Sequence, residues 1–245
     1  MKLLFENWRR FLIEAKQGPH QIYCDMDGVL VDFVAGVVKQ INEDVGNARL
    51  ENQENGKFSL LGKLRRAMKE EGVERIEDTH ILKFTNETSK TRSIAIKYMY
   101  AAFRDDVDFW ANLPWMPGGR QLWDAIKKYN PNILTAPMGK GSEEGKRQWI
   151  NKNLKPAPKE IFMSHDKFNW ATTGDNKNVL IDDFKTNIKP WGEHGGIAIH
   201  HSAEDLANTF KQLAELGFSV TPAPNEHTDE DPEDPFEDME IEDES

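Results

Sequence analysis

The chain has 245 residues, enough for one α/β domain with a sizeable insertion or for two small domains. Its single cysteine excludes an internal disulfide, and no apolar run approaches the roughly 20 residues that span a bilayer, so the expectation is a soluble, cytoplasmic protein without a membrane partner. The net charge of −11 is concentrated at one end: residues 222–245 hold 12 acidic residues and no Lys or Arg, leaving 31 basic against 30 acidic elsewhere. The acidity of the whole is therefore no argument against a phosphate or nucleic-acid ligand.

In chain order, residues 1–17 read as an amphipathic helix. Leu4, Trp8, Phe11 and Ala15 recur at helical spacing, and Leu12 widens the stripe. Glu6, Arg9 and Arg10 interrupt any secretory apolar core, and Gly18 and Pro19 end the helix. Packing on the domain is the expected role, with a leader or docking helix as the alternative.

The run His20 to Phe33, HQIYCDMDGVLVDF, organises the rest. Ile22, Tyr23 and Cys24 form the end of a buried strand, and Gly28 turns the chain where it stops. Asp25 and Asp27 follow at the carboxyl edge, where open α/β sheets bind ligands, and residues two apart in extended chain face the same way. Two like charges so close require a cation or a proton, which points to a divalent metal, phosphate chemistry, or both.

Residues 34–110 lack a strong strand signal and read as a mostly helical insertion, a cap, with helices near 34–45, 60–70 and 93–103. The α/β rhythm returns after it, so residues 18–33 and 111–220 form the core. A helix spans Gly119 to about Tyr129, and a second strand, Ile133 to Thr135, ends in a hydroxyl. Ser142 is expected to cap a helix continuing to about Asn153. Strands follow at 161–163, at 179–181 (ending in Asp182 and Asp183) and at 197–199, with a closing helix over 202–216. Alternating strands and helices imply parallel pairing, which gathers Asp25, Asp27, Thr135, Asp182 and Asp183 at one edge.

Residues 221–245 are expected to be disordered, with dense like charge and few large apolar groups. Phe236, Met239 and Ile241 leave open a short motif that docks another protein.

The stretches DMDGVLVDF, ILTAP, SHDKF and LIDDFKTNI resemble, in order, the four motifs of haloacid dehalogenase-type (HAD) phosphatases. The wording is most similar to the 5′(3′)-deoxyribonucleotidases, over roughly residues 22–200. The resemblance implies a three-layer Rossmann-like α/β core with sheet order 3-2-1-4-5 and a cap inserted after the first strand. It implies Asp25 as nucleophile and Asp27 as general acid and base. Mg²⁺ would be held by Asp25, the main-chain carbonyl of Asp27, and one or both of Asp182 and Asp183. Thr135 would bond a phosphate oxygen, Lys167 would hold nucleophile and phosphate together, and Phe33 would line the base pocket. Lys177, Lys146 and Lys140 are the other lysines near these motifs. The implied substrate is a deoxyribonucleoside monophosphate. A polynucleotide 3′ end is the alternative, for which Lys63, Arg65, Arg66 and Lys69 on a cap helix are the basic candidates. A non-catalytic binding protein of the same fold is the remaining one.

Other patterns carry less. KGSEEGKR has the wrong glycine spacing for a phosphate loop, with Arg147 where Ser or Thr would bind the metal. His194, His200 and His201 lack partners for a zinc pattern, Trp110 and Trp115 read as packing, and the acceptor at Asn86 has no secretory context.

Overall fold

The structure is a computed structural model that describes residues 20–47, 56–81 and 89–220. The helix expected over 1–17, the acceptor at Asn86 and the acidic segment 221–245 lie outside them. The strands are β1 (Ile22–Cys24), β2 (Asn132–Thr135), β3 (Ile161–Met163), the short pair β4 (Thr172–Thr173) and β5 (Asn176–Lys177), β6 (Val179–Asp182) and β7 (Ile197–His200). The helices are α1 (Phe33–Asn47), α2 (Gly56–Glu71), α3 (Lys90–Phe103), α4 (Val107–Ala111), α5 (Gly119–Ile126), α6 (Lys140–Asn153), α7 (Lys185–Glu193) and α8 (Leu206–Glu215).

Five strands form one parallel sheet in the order β3-β2-β1-β6-β7, while β4 and β5 pair separately and antiparallel. Counting only strands of the large sheet, this is the expected order 3-2-1-4-5. The central strands are short continuous apolar runs because both faces are covered. Ile22, Cys24, Ile133, Val179 and Ile181 pack toward α5, α6 and α8 through Trp123, Ile126, Trp149, Ile150 and Phe210. Tyr23, Leu134 and Leu180 face the other way, onto Trp191 of α7. The result is a three-layer α/β core. Among the described residues, no helix is long and apolar enough to cross a membrane.

Helices α1 to α3 close a second apolar core of their own, built on Val37, Ile41, Leu61, Leu64, Met68, Tyr98, Met99 and Phe103. Phe33, Phe109 and Met138 touch both cores. Asp32 starts α1 by accepting the N–H of Ala35 at 2.9 Å, so the helix grows directly out of the first motif. The expected insertion boundary at residue 110 falls inside α4, which lies on α6.

Helix α6 begins three residues earlier than expected. Gly139 is its N-cap, and Ser142 is a helical residue whose Oγ accepts the N–H groups of Met138 and Gly139 at 2.7 and 2.8 Å. The serine serves the turn from inside because its short side chain folds back over it. The glycines of KGSEEGKR permit close approach. A Cβ on Gly141 would stand 2.2 Å from the Asp105 backbone, and one on Gly145 would stand 2.4 Å from Trp110 Cβ.

Two stability effects follow. Gly145→Ala forces α4 off α6 and should destabilise the fold by about 1–3 kcal/mol, read as a lower urea midpoint. His201 is buried between β7 and α8, with Nδ1 2.9 Å from Thr209 Oγ1 and its imidazole pushed down to about 4 by burial and, secondarily, by His200. Below pH 6.5 the unfolded chain takes up a proton that the folded one refuses. His201 therefore stabilises fully above that pH and loses its effect toward pH 4, an expected change of about 3 kcal/mol. Urea unfolding of the wild type and His201→Gln at pH 7 and pH 4 should show that difference narrowing; a constant difference would refute it.

Candidate active site

The carboxyl edge of the sheet holds the chemistry. Asp25 N–H donates to Ile181 O at 2.9 Å, carrying the β1–β6 ladder one residue past the strand. The chain then turns through Gly28, at φ +75°, a region L side chains avoid. A Cβ there would also stand 2.2 Å from Asp183 Oδ2, so glycine serves both the turn and the approach of that carboxylate.

Asp25, Asp182 and Asp183 each present an oxygen within 4.8 Å of the others. Asp25 Oδ1 accepts the N–H of Met26 at 2.7 Å, while Oδ2 lies 2.8 Å from Lys167 Nζ. Lys167 is buried and bridges to Asp182 Oδ2 at 2.7 Å. Asp182 is fixed further by the N–H of Phe184 and the side-chain amide of Asn187. Burial alone would push the Lys167 ammonium down, but the charges of Asp25 and Asp182 outweigh it and hold it up. The carboxyl of Asp183 is pushed up to about 7 by loss of water, then by Asp25 and Asp182. Asp182 is raised for the same reasons, with Lys167 opposing.

Asp27 belongs to a second group. Its Oδ2 accepts from Lys146 Nζ at 2.6 Å, while Oδ1 is buried and has no hydrogen-bond partner among the described residues. Desolvation raises its carboxyl, Lys146 opposes that, and Asp25 adds to it. Lys146 is 0% exposed and also donates to Thr135 Oγ1 at 2.9 Å and Ala136 O at 2.7 Å, so all three of its protons are committed. Its ammonium lies 5.0 Å from the Trp110 ring centre.

Of the residues singled out from the sequence, the structure places Asp25, Lys167, Asp182 and Asp183 together, and joins Asp27 to Thr135 through Lys146. Lys177 is exposed on β5 and Lys140 is exposed at the start of α6. Phe33 stacks on Trp110 at 5.0 Å where the two apolar cores meet. Lys146 entered the sequence reading as an alternative to Lys167, not as a partner of Asp27. Its signal was its place among Ser142, Gly145, Trp149 and Ile150, the buried stripe of α6.

The convergent carboxylates of Asp25, Asp182 and Asp183, the last raised first by burial and then by the other two, offer the hard donors that suit a divalent cation such as Mg²⁺.

No protein-family model matches the chain, and no curated protein sequence does. Its structural neighbours include hydrolases, several of them of the HAD family. A hydrolase from Streptococcus pneumoniae TIGR4 is 11% identical with a TM-score of 0.45, over 78% of this chain and 98% of its own. A HAD family hydrolase from Deinococcus radiodurans R1, with bound phosphate and sodium, is 14% identical with a TM-score of 0.43, over 84% and 100%. The L-2-haloacid dehalogenase of Xanthobacter autotrophicus, with chloropropionic acid covalently bound, is 13% identical with a TM-score of 0.39, over 83% and 84%. At these values the likeness carries no argument about chemistry, which rests on the side chains above.

The Lys146–Asp27 pair gives a measurement independent of turnover. A double-mutant cycle of Lys146→Met and Asp27→Asn, followed by urea unfolding, is expected to return a coupling energy of about 1–3 kcal/mol. Additive effects would show that the two groups do not act as a pair.

Proposed function

We propose that this chain is a HAD-type phosphomonoesterase, Mg²⁺-dependent, acting on deoxyribonucleoside monophosphates. The observation that supports it is the Asp25 carboxylate at the end of β1, flanked by the buried Lys167 ammonium and by two further carboxylates. Lys167 keeps Asp25 oriented and ionised, and its charge would draw a phosphate toward the same point.

In the first step an Asp25 carboxylate oxygen forms a bond to phosphorus as the ester P–O bond breaks, giving an aspartyl-phosphate, and Asp27 delivers its proton to the leaving oxygen. Its raised carboxyl keeps that proton available. In the second step Asp27, now ionised, takes a proton from water, whose oxygen attacks phosphorus. The Asp25–phosphate bond breaks, releasing inorganic phosphate and restoring both carboxyl groups. Lys146 keeps Asp27 aimed and limits the rise of its carboxyl, while Thr135 and Ala136 fix Lys146. Mg²⁺, held by Asp25, Asp182, Asp183 and the main-chain carbonyl of Asp27, would supply positive charge to the phosphate when bound. Phe33, half-buried at the junction of the two cores, would line the pocket for the nucleobase.

Steady-state assays with p-nitrophenyl phosphate and a panel of 5′- and 3′-deoxyribonucleotides, with Mg²⁺ or EDTA, test this. Mg²⁺-dependent phosphate release is expected, with Asp25→Asn lower by at least about 10³-fold, as for loss of a nucleophile. A parallel arm with 2-chloropropionate reads chloride. Chloride release without phosphate release would move the attack from phosphorus to carbon and end the phosphatase reading.

A further inference from the structure

The three carboxylates that converge at the sheet edge are not held alike. Asp25 accepts the N–H of Met26 at 2.7 Å and lies 2.8 Å from Lys167. Asp182 accepts from Lys167, from the Phe184 N–H and from the side-chain amide of Asn187. The hydrogen bond that the Asp183 carboxylate takes comes from its own backbone N–H. Its side chain is therefore aimed by the main chain that carries it. The aim is narrow, because the carboxylate lies against the Gly28 turn, where an added Cβ would stand 2.2 Å from Oδ2. A small rotation of the main chain at Asp183 would swing the carboxylate away from Asp25.

Strand β7 restrains that rotation. Its register sets His200 opposite Asp182, and the His201 N–H donates to Asp182 O at 2.9 Å. The ladder stops there, since the chain leaves β6 at Asp183 and starts α7 with Phe184 as its N-cap. The Asp183 carbonyl has then lost its place in the ladder and needs another donor. His200 Nε2 lies 3.0 Å from it. A carbonyl oxygen only accepts, so the hydrogen sits on Nε2. The imidazole thus carries the hold of β7 on the neighbouring chain one residue beyond the last ladder bond. His200 is exposed, so the apolar cores have little stake in its side chain.

We propose that His200 is a positioning residue for the metal site: its Nε2–H holds the Asp183 carbonyl and so fixes where the Asp183 carboxylate stands relative to Asp25 and Asp182. This rests on the reading of those three as ligands of Mg²⁺. Partners that orient metal ligands from behind typically contribute about 10- to 100-fold in metal affinity.

The test uses the full chain with Mn²⁺ as the probe, the free ion counted by electron paramagnetic resonance, and urea unfolding in EDTA beside it. His200→Ala, and His200→Asn, whose amide stops short of the Nε2 position, are expected to weaken Mn²⁺ binding at least about tenfold. His200→Gln, whose amide N–H reaches that position, should stay within about threefold of wild type. In EDTA all three should keep the wild-type urea midpoint. The Mg²⁺ concentration giving half-maximal p-nitrophenyl phosphate hydrolysis should move by the same factors. Wild-type Mn²⁺ affinity in the alanine and asparagine variants overturns the role of His200 and leaves the metal reading standing. Affinity that glutamine does not restore, or that falls together with the urea midpoint, also overturns it. A wild type that binds no Mn²⁺ overturns the metal reading and the role of His200 with it. The expected pattern of Mn²⁺ binding in a chain that cleaves no ester supports the role and overturns only the phosphatase reading.

Discussion

The site depends on a charge imbalance held at the end of a parallel sheet. Asp25, Asp27, Asp182 and Asp183 face two buried ammonium groups, Lys146 and Lys167. With all six ionised, the excess is two negative charges, the charge of one divalent cation. Burial first, and then the charge of Asp25, raises the carboxyls of Asp27, Asp182 and Asp183, with the lysines opposing. The two lysines divide the cluster by task. Lys167 ties the Asp25 carboxylate to Asp182, while Lys146 ties Asp27 to the β2 loop.

That division rests on packing some distance from the carboxylates. Lys146 is buried because α4 lies directly on α6, and α4 can do so only because Gly141 and Gly145 present no side chains there. Trp110 comes down on the same seam, its indole N–H donating to Phe103 O at 2.6 Å and its face toward the Lys146 ammonium. The residues that shield the lysine from water thus also join the sheet layers to the helices carrying the second apolar core. Phe33 stacks on Trp110 at the start of α1, so a shift of those helices would be felt at the environment of Lys146.

How much of this was legible in the sequence follows from the range of the forces involved. Asp25, Thr135, Asp182 and Asp183 could be placed because each ends a short apolar strand, and parallel pairing of such strands needs no knowledge of side-chain contacts. The sheet order and its covered faces were readable for the same reason. Lys146 was not, since a lysine between Gly145 and Arg147 looks solvated until the helix it sits on is packed. The glycines around it gave a false comparison with a phosphate loop, whereas their role is tertiary: they admit another segment of chain. The helix cap was misplaced by three residues, at Ser142 rather than Gly139, because the serine hydroxyl serves the turn from within the helix, which a cap rule read along the sequence does not distinguish. The two-residue strands β4 and β5 are too short to produce any period.

The overall charge of −11 misleads about the surface for a related reason. With residues 222–245 set aside, basic and acidic residues nearly balance, 31 against 30, so the field at any point is set by neighbours rather than by the total. Screening at physiological salt confines that influence to about 8 Å. Around Tyr100 two cations, Lys97 and Arg104, meet two carboxylates, Asp105 and Asp106, so the charges nearly cancel locally as they do over the chain without residues 222–245.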